Sequence, residues 1–459
     1  MSFLTVLSAL SLLGAAHAVD SEFNVVRRVS LAPRAKGGSY APACGILRAL
    51  HGQDAPSCLQ EERARGAAWA ADEEDTRQEG AKCKWGDRPS LWMGVILMTN
   101  FSLIIDTGSS DTWVAQKGFN CFDLNGNPVP ADTCAFGTAG FNTAASRTFQ
   151  PFPNVSFNIT YGDGEFLSGP VGFDTVTIGG LSVTHQEIGV PTLTAWEGDG
   201  INTGLIGLAF PGLTSVYNTT DPTKASGANQ LPYSPLFLSA VSEKKVKNPF
   251  FSVALDRGTF DQQENDPFDP NLGFLSFGGI APVPVTNTAV TVPVQGYSAT
   301  TGIPSNGPGS EFFFYTVDVE AYTFPGSNRV VTANNNTILD TGTTLNFVPT
   351  DVAAAYNAQF HPPATLDEDF GLFVVDCNAR VPQFGVVIGG KTFQIDARDQ
   401  ILPAGTDDNG NIICITGTQD GGPDVAEDIF IMGDVFLHNV VSTFNPVAGE
   451  VTLTQRARY

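Results

Sequence analysis

Short apolar runs separated by turn residues recur along most of the chain, from about residue 100 to the C-terminus. The runs are rich in Val, Ile, Phe and Thr; examples are VSFNITY, DTVTIGG, FFSVAL, GFLSFGG, EFFFYTVDVEAYTF and GVVIGG. Such runs, bounded by Gly, Pro, Asn and Asp, predict β-strands. Few stretches repeat apolar residues with the 3.6-residue period of a helix. We therefore predict a mostly β protein.

The first 99 residues do not follow this pattern. Residues 30–99 mix Ala, Arg, Trp and Cys without either period and include helix formers such as EERARGAAWAADEED. Residues 1–18 form an apolar run that ends in the small-x-small cleavage pattern Ala-His-Ala, although no Lys or Arg precedes it. The run is shorter than the roughly 20 residues that a membrane-spanning helix needs. We predict a signal peptide over residues 1–18 and a prosegment-like or anomalous region over residues 19–99.

Charge divides the chain at the same place. The 459 residues carry 24 Lys and Arg against 47 Asp and Glu, a net charge of −23. Residues 1–99 hold 11 groups of each sign, so residues 100–459 hold 13 basic and 36 acidic groups and account for the whole net charge. A strongly acidic surface repels phosphate groups, which argues against nucleic acid or an anionic membrane as a partner.

Seven cysteines cannot all pair within one chain. Cys121 and Cys134 flank a short loop, and Cys377 and Cys414 flank a longer segment with two strand-like runs. We predict a disulfide at each pair, which stabilises the fold by about 2 to 4 kcal/mol. The other three cysteines all precede residue 99: Cys44, Cys58 and Cys83. Removal of a prosegment would leave two disulfides and no free thiol.

Five Asn-x-Ser/Thr sequons accompany the signal peptide: Asn100, Asn154, Asn158, Asn218 and Asn335. Each sequon is weak evidence alone because the tripeptide is common by chance. Together with the signal peptide they predict a secreted, extracellular glycoprotein whose mature form has no membrane segment.

A repeated motif connects the two halves of residues 100–459. L-I-I-D-T-G-S-S-D-T-W-V contains Asp106, and I-L-D-T-G-T-T-L-N-F-V places Asp340 in the same frame, 234 residues later. Each copy is followed by a second echo, Leu-Ile-Gly ending at Gly207 and Ile-Met-Gly ending at Gly433. A lone Asp-Thr-Gly is most often an ordinary turn. Two copies with matched flanks and echoes indicate two related β lobes.

The repeat also explains why an aspartate follows three branched aliphatic residues. Burying an unpaired charge costs several kcal/mol, so each acid needs a partner or a function. We predict that Asp106 and Asp340 face each other, with Gly108 and Gly342 permitting close backbone approach. Two carboxylates at hydrogen-bonding distance hold one shared proton in acid, so one acts as base and the other as acid. This pair can activate a water against a carbonyl group. Four hydroxyl residues are placed to donate hydrogen bonds to the carboxylates: Thr107, Ser109, Thr341 and Thr343.

These motifs resemble the pepsin-like aspartic endopeptidases over about 360 residues. LIIDTGSSDTWV, ITYGDG, GLIGLAFP, FSVAL…LSFGGI, ILDTGTTLNFVP and IFIMGDVFLHNVVSTFN all occur in family order. The resemblance implies an all-β, bilobal pepsin-like fold with lobes over residues 100–281 and 282–459 and an active-site cleft between them. It implies that Asp106 and Asp340 are catalytic, and that the enzyme acts on proteins or peptides without a cofactor.

The resemblance also assigns substrate-binding residues. Tyr161 matches the flap tyrosine at the tip of a mobile hairpin, and Trp113 matches the tryptophan that supports it. Gly162 and Asp163 are expected to bind the substrate backbone, and Ile104 and Tyr161 to line a pocket for large apolar side chains. Asp163 would also accept a substrate lysine, as in relatives with Asp at the matching position; the alternative is that it caps the hairpin turn.

One departure from the family affects the expected activity. The family reaches its first catalytic turn through a Gly-x-Pro-x-Gln strand, whereas Trp92–Thr99 reads W-M-G-V-I-L-M-T. We hypothesise that residues 32–99 include sequence foreign to a working zymogen, such as a translated intron. A catalytically silent pepsin-like binding protein is therefore the alternative to an active enzyme.

Other chemistries lack their motifs. The five histidines show no metal-ligand spacing, and the sequence contains no Cys-x-x-Cys, Gly-x-Ser-x-Gly or phosphate loop. We expect no metal. Without heptads or exposed apolar helices, we also expect a monomer.

Overall fold

The computed structural model describes residues 91–92, 101–137, 140–198, 200, 202–257, 273–298, 310–326, 330–332, 336–367, 371–406, 411–423 and 430–459. The predicted signal peptide, three of the cysteines and two of the sequons lie outside these residues: Cys44, Cys58, Cys83, Asn100 and Asn335.

Strands dominate the first half of the described chain, as the sequence pattern predicts. The strands are β1 (Leu91–Trp92), β2 (Leu103–Asp106), β3 (Thr112–Val114), β4 (Asn120–Phe122), β5 (Pro128–Val129), β6 (Gln150–Thr160), β7 (Phe166–Ile178), β8 (Leu181–Gly189), β9 (Leu193–Ala195), β10 (Gly204–Gly207), β11 (Val216–Tyr217), β12 (Phe251–Leu255) and β13 (Gly273–Phe277). Helix α1 spans Leu236–Ser242, and short 3-10 helices span Ala131–Thr133, Pro211–Leu213 and Pro222–Lys224.

The second half has the same character. Its strands are β14 (Val285–Pro293), β15 (Tyr297–Ser298), β16 (Ser310–Glu311), β17 (Thr316–Asp318), β18 (Ala321–Thr323), β19 (Val330–Val331), β20 (Asn336–Leu339), β21 (Asn346–Val348), β22 (Thr365–Asp367), β23 (Leu372–Val375), β24 (Phe384–Ile388), β25 (Lys391–Ile395), β26 (Ile401–Thr406), β27 (Ile412–Thr416), β28 (Thr418–Asp420), β29 (Phe430–Met432), β30 (Val440–Asn445) and β31 (Glu450–Arg456). Helices α2 and α3 span Thr350–Asn357 and Asp434–Leu437, and a 3-10 helix spans Ala397–Asp399.

The sheets separate into two lobes with a shared base. The N-terminal lobe is a ten-stranded sheet with the order β2-β10-β3-β8-β7-β9-β4-β5, to which β6 adds beside β7 and β11 beside β6. The C-terminal lobe contains one five-stranded, two four-stranded and one two-stranded sheet. A six-stranded sheet in the order β1-β13-β12-β30-β31-β14 takes strands from both halves and joins them.

The internal repeat corresponds to a repeated strand arrangement. In the N-terminal lobe β2 pairs in parallel with β10, so that Asp106 lies opposite Gly207. In the C-terminal lobe β20 pairs in parallel with β29, with Leu339 opposite Met432. In each lobe the strand that carries the echo also pairs antiparallel with the strand that follows the Asp-Thr-Gly turn. The echoes are therefore the strands that flank each turn.

Buried aromatic rings and ion pairs hold the lobes together at the base. Phe444 lies 5.0 Å from Phe251 and 4.6 Å from Tyr315, ring centroid to centroid. Nearby, the guanidinium of Arg257 donates two hydrogen bonds of 2.7 Å to the carboxylate of buried Asp399. Phe251 and Arg257 belong to the first half of the chain, and Phe444 and Asp399 to the second, so both of these contacts join the halves. Tyr315 belongs to the same half as Phe444.

Both disulfides predicted from spacing are present. Cys121 and Cys134 are bonded, as are Cys377 and Cys414. No helix in the described part of the chain is long and apolar enough to cross a membrane.

Candidate active site

The two Asp-Thr-Gly turns lie at the ends of equivalent strands and hold their carboxylates in the same way. Asp106, 2% exposed, ends β2, and Asp340, 0% exposed, follows β20. In the first turn the Gly108 N–H donates to Asp106 Oδ1 at 2.6 Å and the Ser109 hydroxyl to Oδ2 at 2.5 Å. In the second, the Gly342 N–H donates to Asp340 Oδ1 at 2.8 Å, and a threonine hydroxyl replaces the serine. That hydroxyl, of Thr343, donates to Oδ2 at 2.7 Å.

Each carboxylate packs against the glycine of the opposite turn. A Cβ atom added to Gly342 would lie 2.5 Å from Asp106 Oδ1, and one added to Gly108 would collide with the carboxyl group of Asp340. Real Cβ atoms do not approach other atoms this closely, so no other residue fits at either position without a shift. The repeat therefore brings the two acids together across the lobe interface, with glycine required by this close approach.

The structure corrects the expected role of two threonines. Thr107 Oγ1 donates to the carbonyl oxygen of Leu339 at 2.7 Å and accepts from the N–H of Thr341 at 3.0 Å. Thr341 Oγ1 donates to the carbonyl oxygen of Ile105 at 2.7 Å and accepts from the N–H of Thr107 at 3.1 Å. Since a hydroxyl has one hydrogen to donate, neither threonine holds a carboxylate. Together they link the two turns, and only Ser109 and Thr343 donate as we expected.

A β-hairpin formed by β6 and β7 carries Tyr161 close to this site. The indole N–H of Trp113 donates to the phenol oxygen of Tyr161 at 2.8 Å. Burial, and next the charge of Asp106, raise the pKa of Tyr161 well above its usual value. The phenol therefore stays protonated, with its oxygen oriented by the indole.

Asp163 lies in the turn of this hairpin and accepts a hydrogen bond within it. The N–H of Tyr161 donates to the carbonyl of Glu165 at 2.8 Å, and Gly164 adopts a φ of +91°, which favours glycine. Asp163 Oδ1 accepts from the N–H of Glu165 at 3.0 Å, which is the turn-capping contact given as the alternative to lysine recognition. Gly162, expected to meet the substrate backbone, is exposed beside it.

An aromatic wall that sequence analysis missed lies behind Tyr161. Trp196 lies 5.1 Å from Trp113 and 5.9 Å from Tyr161, and stacks on Phe136 at 6.3 Å. Half-buried Ile104 packs against the same apolar cluster. The available signal was weak: Phe136 follows a disulfide cysteine by two residues, and Trp196 ends a short strand-like run. These side chains form one apolar cluster, against which Tyr161 packs.

Within the described residues, no three His, Cys, Asp or Glu side chains are grouped so that they could hold a metal ion. The arrangement can share a proton between two carboxyls and position a water, which suits hydrolysis without a covalent intermediate.

Comparison with known proteins agrees with this chemistry. The model of the family "Eukaryotic aspartyl protease" matches residues 98–456. A probable aspartic-type endopeptidase of Aspergillus fumigatus is 38% identical over 361 residues, covering 78% of this chain and 76% of the relative. Rhizopuspepsin-3 of Rhizopus niveus is 28% identical over 362 residues, covering 78% and 75%.

The fold has a counterpart among solved structures. The crystal structure of an aspartic proteinase from Irpex lacteus superposes with a TM-score of 0.57 and 22% identity, covering 81% of this chain and 97% of that one. This likeness confirms the all-β, bilobal pepsin-like architecture that the sequence predicts.

Proposed function

We propose that this chain, which belongs to the eukaryotic aspartyl protease family, is a secreted endopeptidase that works at acid pH. Its substrates are proteins or peptides, and it prefers large hydrophobic residues at the scissile bond. The observation that carries the proposal is the matched pair of hydrogen-bonded carboxylates, each lying against the glycine of the opposite turn.

The dyad performs the hydrolysis in this proposal. One proton is shared between Asp106 and Asp340; the ionised carboxylate takes a proton from the attacking water, and the protonated one donates a hydrogen bond to the scissile carbonyl. Each acid keeps one N–H and one hydroxyl donor from its own turn, so its orientation does not depend on the substrate. The paired threonines fix the distance between the turns.

The apolar wall supports the substrate preference. An extended peptide lying between the hairpin and the dyad alternates its side chains to either side. The surface formed by Ile104, Trp196 and the Tyr161 ring would accept a large apolar side chain beside the scissile bond. Transfer of such a side chain from water contributes about 1.5 to 3 kcal/mol when burial is complete.

Secretion is supported by the disulfides and by the exposure of sequons. Bonded cysteines are typical of oxidising compartments, and two pairs are formed here. Asn154 and Asn218 are exposed and open to a glycan. Asn158 is half-buried, and its side-chain nitrogen donates to the carbonyl of Pro222 at 3.1 Å. We therefore expect glycans on the first two residues and not on Asn158.

The test replaces each acid in turn. Asp106→Asn or Asp340→Asn should abolish cleavage of a denatured protein at acid pH, because an amide cannot act as the base or share the proton. Asp174→Asn is the matched control: Asp174 is a buried N-terminal-lobe acid that accepts a hydrogen bond from Ser146 Oγ at 2.9 Å, away from the dyad. Turnover retained by either dyad variant, with an unchanged melting profile, would refute the assignment.

The same assay separates the enzyme from a silent binding protein. An active parent should be blocked by a statine-type transition-state mimic, which presents a hydroxyl to the two carboxyls. A parent that binds this mimic but cleaves nothing would favour the silent alternative, and one that does neither would contradict both.

A further inference from the structure

A second acid of the first turn is completely buried. Asp111, five residues after Asp106, is 0% exposed. Its carboxylate accepts the N–H of Ser215 with both oxygens, at 2.9 and 3.0 Å, and the hydroxyl of Tyr233 at 2.8 Å. Among the described residues no Lys or Arg forms an ion pair with it. A buried carboxyl without a cation is costly, which calls for a reason to keep it.

Ser215 connects this carboxyl to the flap hairpin. Its N–H donates to Asp111, and its carbonyl accepts from the N–H of Asn158 at 3.0 Å. Asn158 lies in β6, three residues before Tyr161. Strand β11, which begins at the next residue, continues the contact by pairing Val216 with Phe157 of β6. Ser215 thus binds Asp111 through its N–H and the base of the hairpin, at Asn158, through its carbonyl.

The backbone of Asp111 is bonded to β10, the strand that lies beside the catalytic turn. Its carbonyl accepts from the N–H of Gly207 at 2.8 Å, and a Cβ on that glycine would meet the backbone of Ser110 and Asp111. Two residues further along, Trp113 donates to the phenol of Tyr161. The segment from the catalytic turn into β3 therefore contacts the hairpin twice, at its base through Asp111 and near its tip through Trp113.

The internal repeat indicates that Asp111 supports the flap hairpin and is not needed to form the Asp-Thr-Gly turn. The second half has Leu345 at the matching place, five residues after Asp340, and this leucine packs in an apolar cluster with Phe347. Both turns hold their catalytic carboxylates equally well, so the turn itself does not require the extra acid. The acid occurs in the half that carries the β6–β7 hairpin.

We propose that Asp111 is a positioning residue that holds the base of the flap hairpin against the catalytic turn through Ser215, and thereby sets how tightly the hairpin closes on a substrate. It does not touch the reacting atoms. The role deepens the endopeptidase function and rests on it.

The electrostatics of the pocket suit this role in acid. Burial raises the pKa of Asp111 to about 6, against the lowering effect of the hydrogen bonds from Ser215 and Tyr233. The acids and phenols that interact with its charge are Tyr161, Glu187, Tyr217 and Tyr233. A protonated carboxyl avoids a buried charge and still offers its carbonyl oxygen to the N–H of Ser215.

The experiment compares Asp111→Ala and Asp111→Asn with Asp174→Ala. Asp174 is also a buried acid of the same lobe, and it accepts hydrogen bonds from Ser146, Thr148 and the N–H of Thr175, none of which belongs to the hairpin tip. Loss of the acceptor leaves the Ser215 N–H unsatisfied, so Asp111→Ala should raise KM for a peptide by about fivefold to a hundredfold. We expect a smaller change in kcat, because the dyad is intact. Asp111→Asn keeps one acceptor oxygen and should recover part of the loss.

Hydrogen exchange gives a readout that does not need activity. Amides of residues 156–161 should exchange faster in Asp111→Ala than in the parent, while Asp174→Ala leaves them unchanged. If Asp111→Ala does not fold, Asp111→Asn takes its place in both measurements. Unchanged exchange at residues 156–161, or a KM shifted equally by Asp111→Ala and Asp174→Ala, would overturn the proposal. An inactive parent with faster exchange in the variant would instead contradict the endopeptidase function alone.

Discussion

Removing the hydroxyl of Thr107 tests the link between the two lobes at the active site. Thr107→Val keeps the shape of this buried side chain but removes the bonds to the carbonyl of Leu339 and the N–H of Thr341. A buried polar group left without its partner costs about 1 to 3 kcal/mol. Two such groups predict a loss of about 2 to 6 kcal/mol in the free energy of unfolding. Thr341→Val should lower the free energy of unfolding by a similar amount, since its hydroxyl makes the equivalent pair of bonds from the other turn.

Urea unfolding at acid pH, followed by tryptophan fluorescence, measures this loss. All proteins, including the reference, carry Asp106→Asn to prevent self-digestion. Thr452→Val is the control, because its hydroxyl makes an exposed 2.7 Å contact with Thr291 across two strands. An exposed substitution of this kind changes stability by about 0.5 kcal/mol or less.

The comparison can fail in a recognisable way. If Thr107→Val unfolds at the same urea concentration as Thr452→Val, the cross-lobe bonds provide no net stabilisation and the reasoning is wrong. If one threonine variant is strongly destabilised and the other is not, the two hydroxyls are not equivalent, and the symmetry of the link is refuted.

Three further predictions follow from side chains around the site. Asp163→Ser should lower cleavage of matched Phe and Lys peptides equally, because Asp163 caps the hairpin turn; a loss confined to the Lys peptide would restore lysine recognition. Burial, and next the charge of Asp111, raise the pKa of Glu187 to about 7. The folded state therefore favours the protonated side chain, and the free energy of unfolding falls as pH rises from the usual glutamate pKa of 4.5 towards 7. Glu187→Gln should therefore flatten the decline in urea midpoint between acid and neutral pH, and an equal decline in both proteins would contradict this assignment. Mass spectrometry of the protein from a eukaryotic host should find a glycan on Asn218 and none on Asn158, whereas a fully occupied Asn158 would show that its contact in the fold does not exclude modification.

The fold and the dyad are predictable because the evidence for them is repeated in the sequence. Asp106 and Asp340 occur in two copies of one motif, and each copy has its own echo, which forms the parallel neighbour of the strand that leads to the acid. Alternating apolar runs and turn residues suffice for a mostly β assignment. Two disulfides were predictable because each pair of cysteines flanks a single loop or strand segment.

Features that depend on side-chain direction were not predictable. The sequence places Thr107 and Ser109 equally close to Asp106, but the hydroxyl of Thr107 donates across the interface and that of Ser109 donates to the acid. Similarly, nothing in the local pattern around Trp196 shows that it meets Trp113 from another strand. The contacts of Thr107 with Leu339 and of Trp196 with Trp113 join residues far apart in sequence, and period and propensity carry no information about them.

The two halves are alike at the Asp-Thr-Gly turns and different in the residues that follow them. Both turns supply an N–H and a hydroxyl to their acid, because both carboxyls must be oriented for a proton to be shared between them. Beyond the turns the copies diverge: Asp111 corresponds to Leu345, and Trp113 to Phe347. Asp111 and Trp113 both lie in the half with the flap hairpin. Trp113 contacts Tyr161 directly, and Asp111 contacts the base of the same hairpin through Ser215. In the other half the apolar members pack into a core cluster instead. The side chains at these two positions thus distinguish the half that contacts the β6–β7 hairpin from the half that does not, while the two acids keep the same pattern of donors.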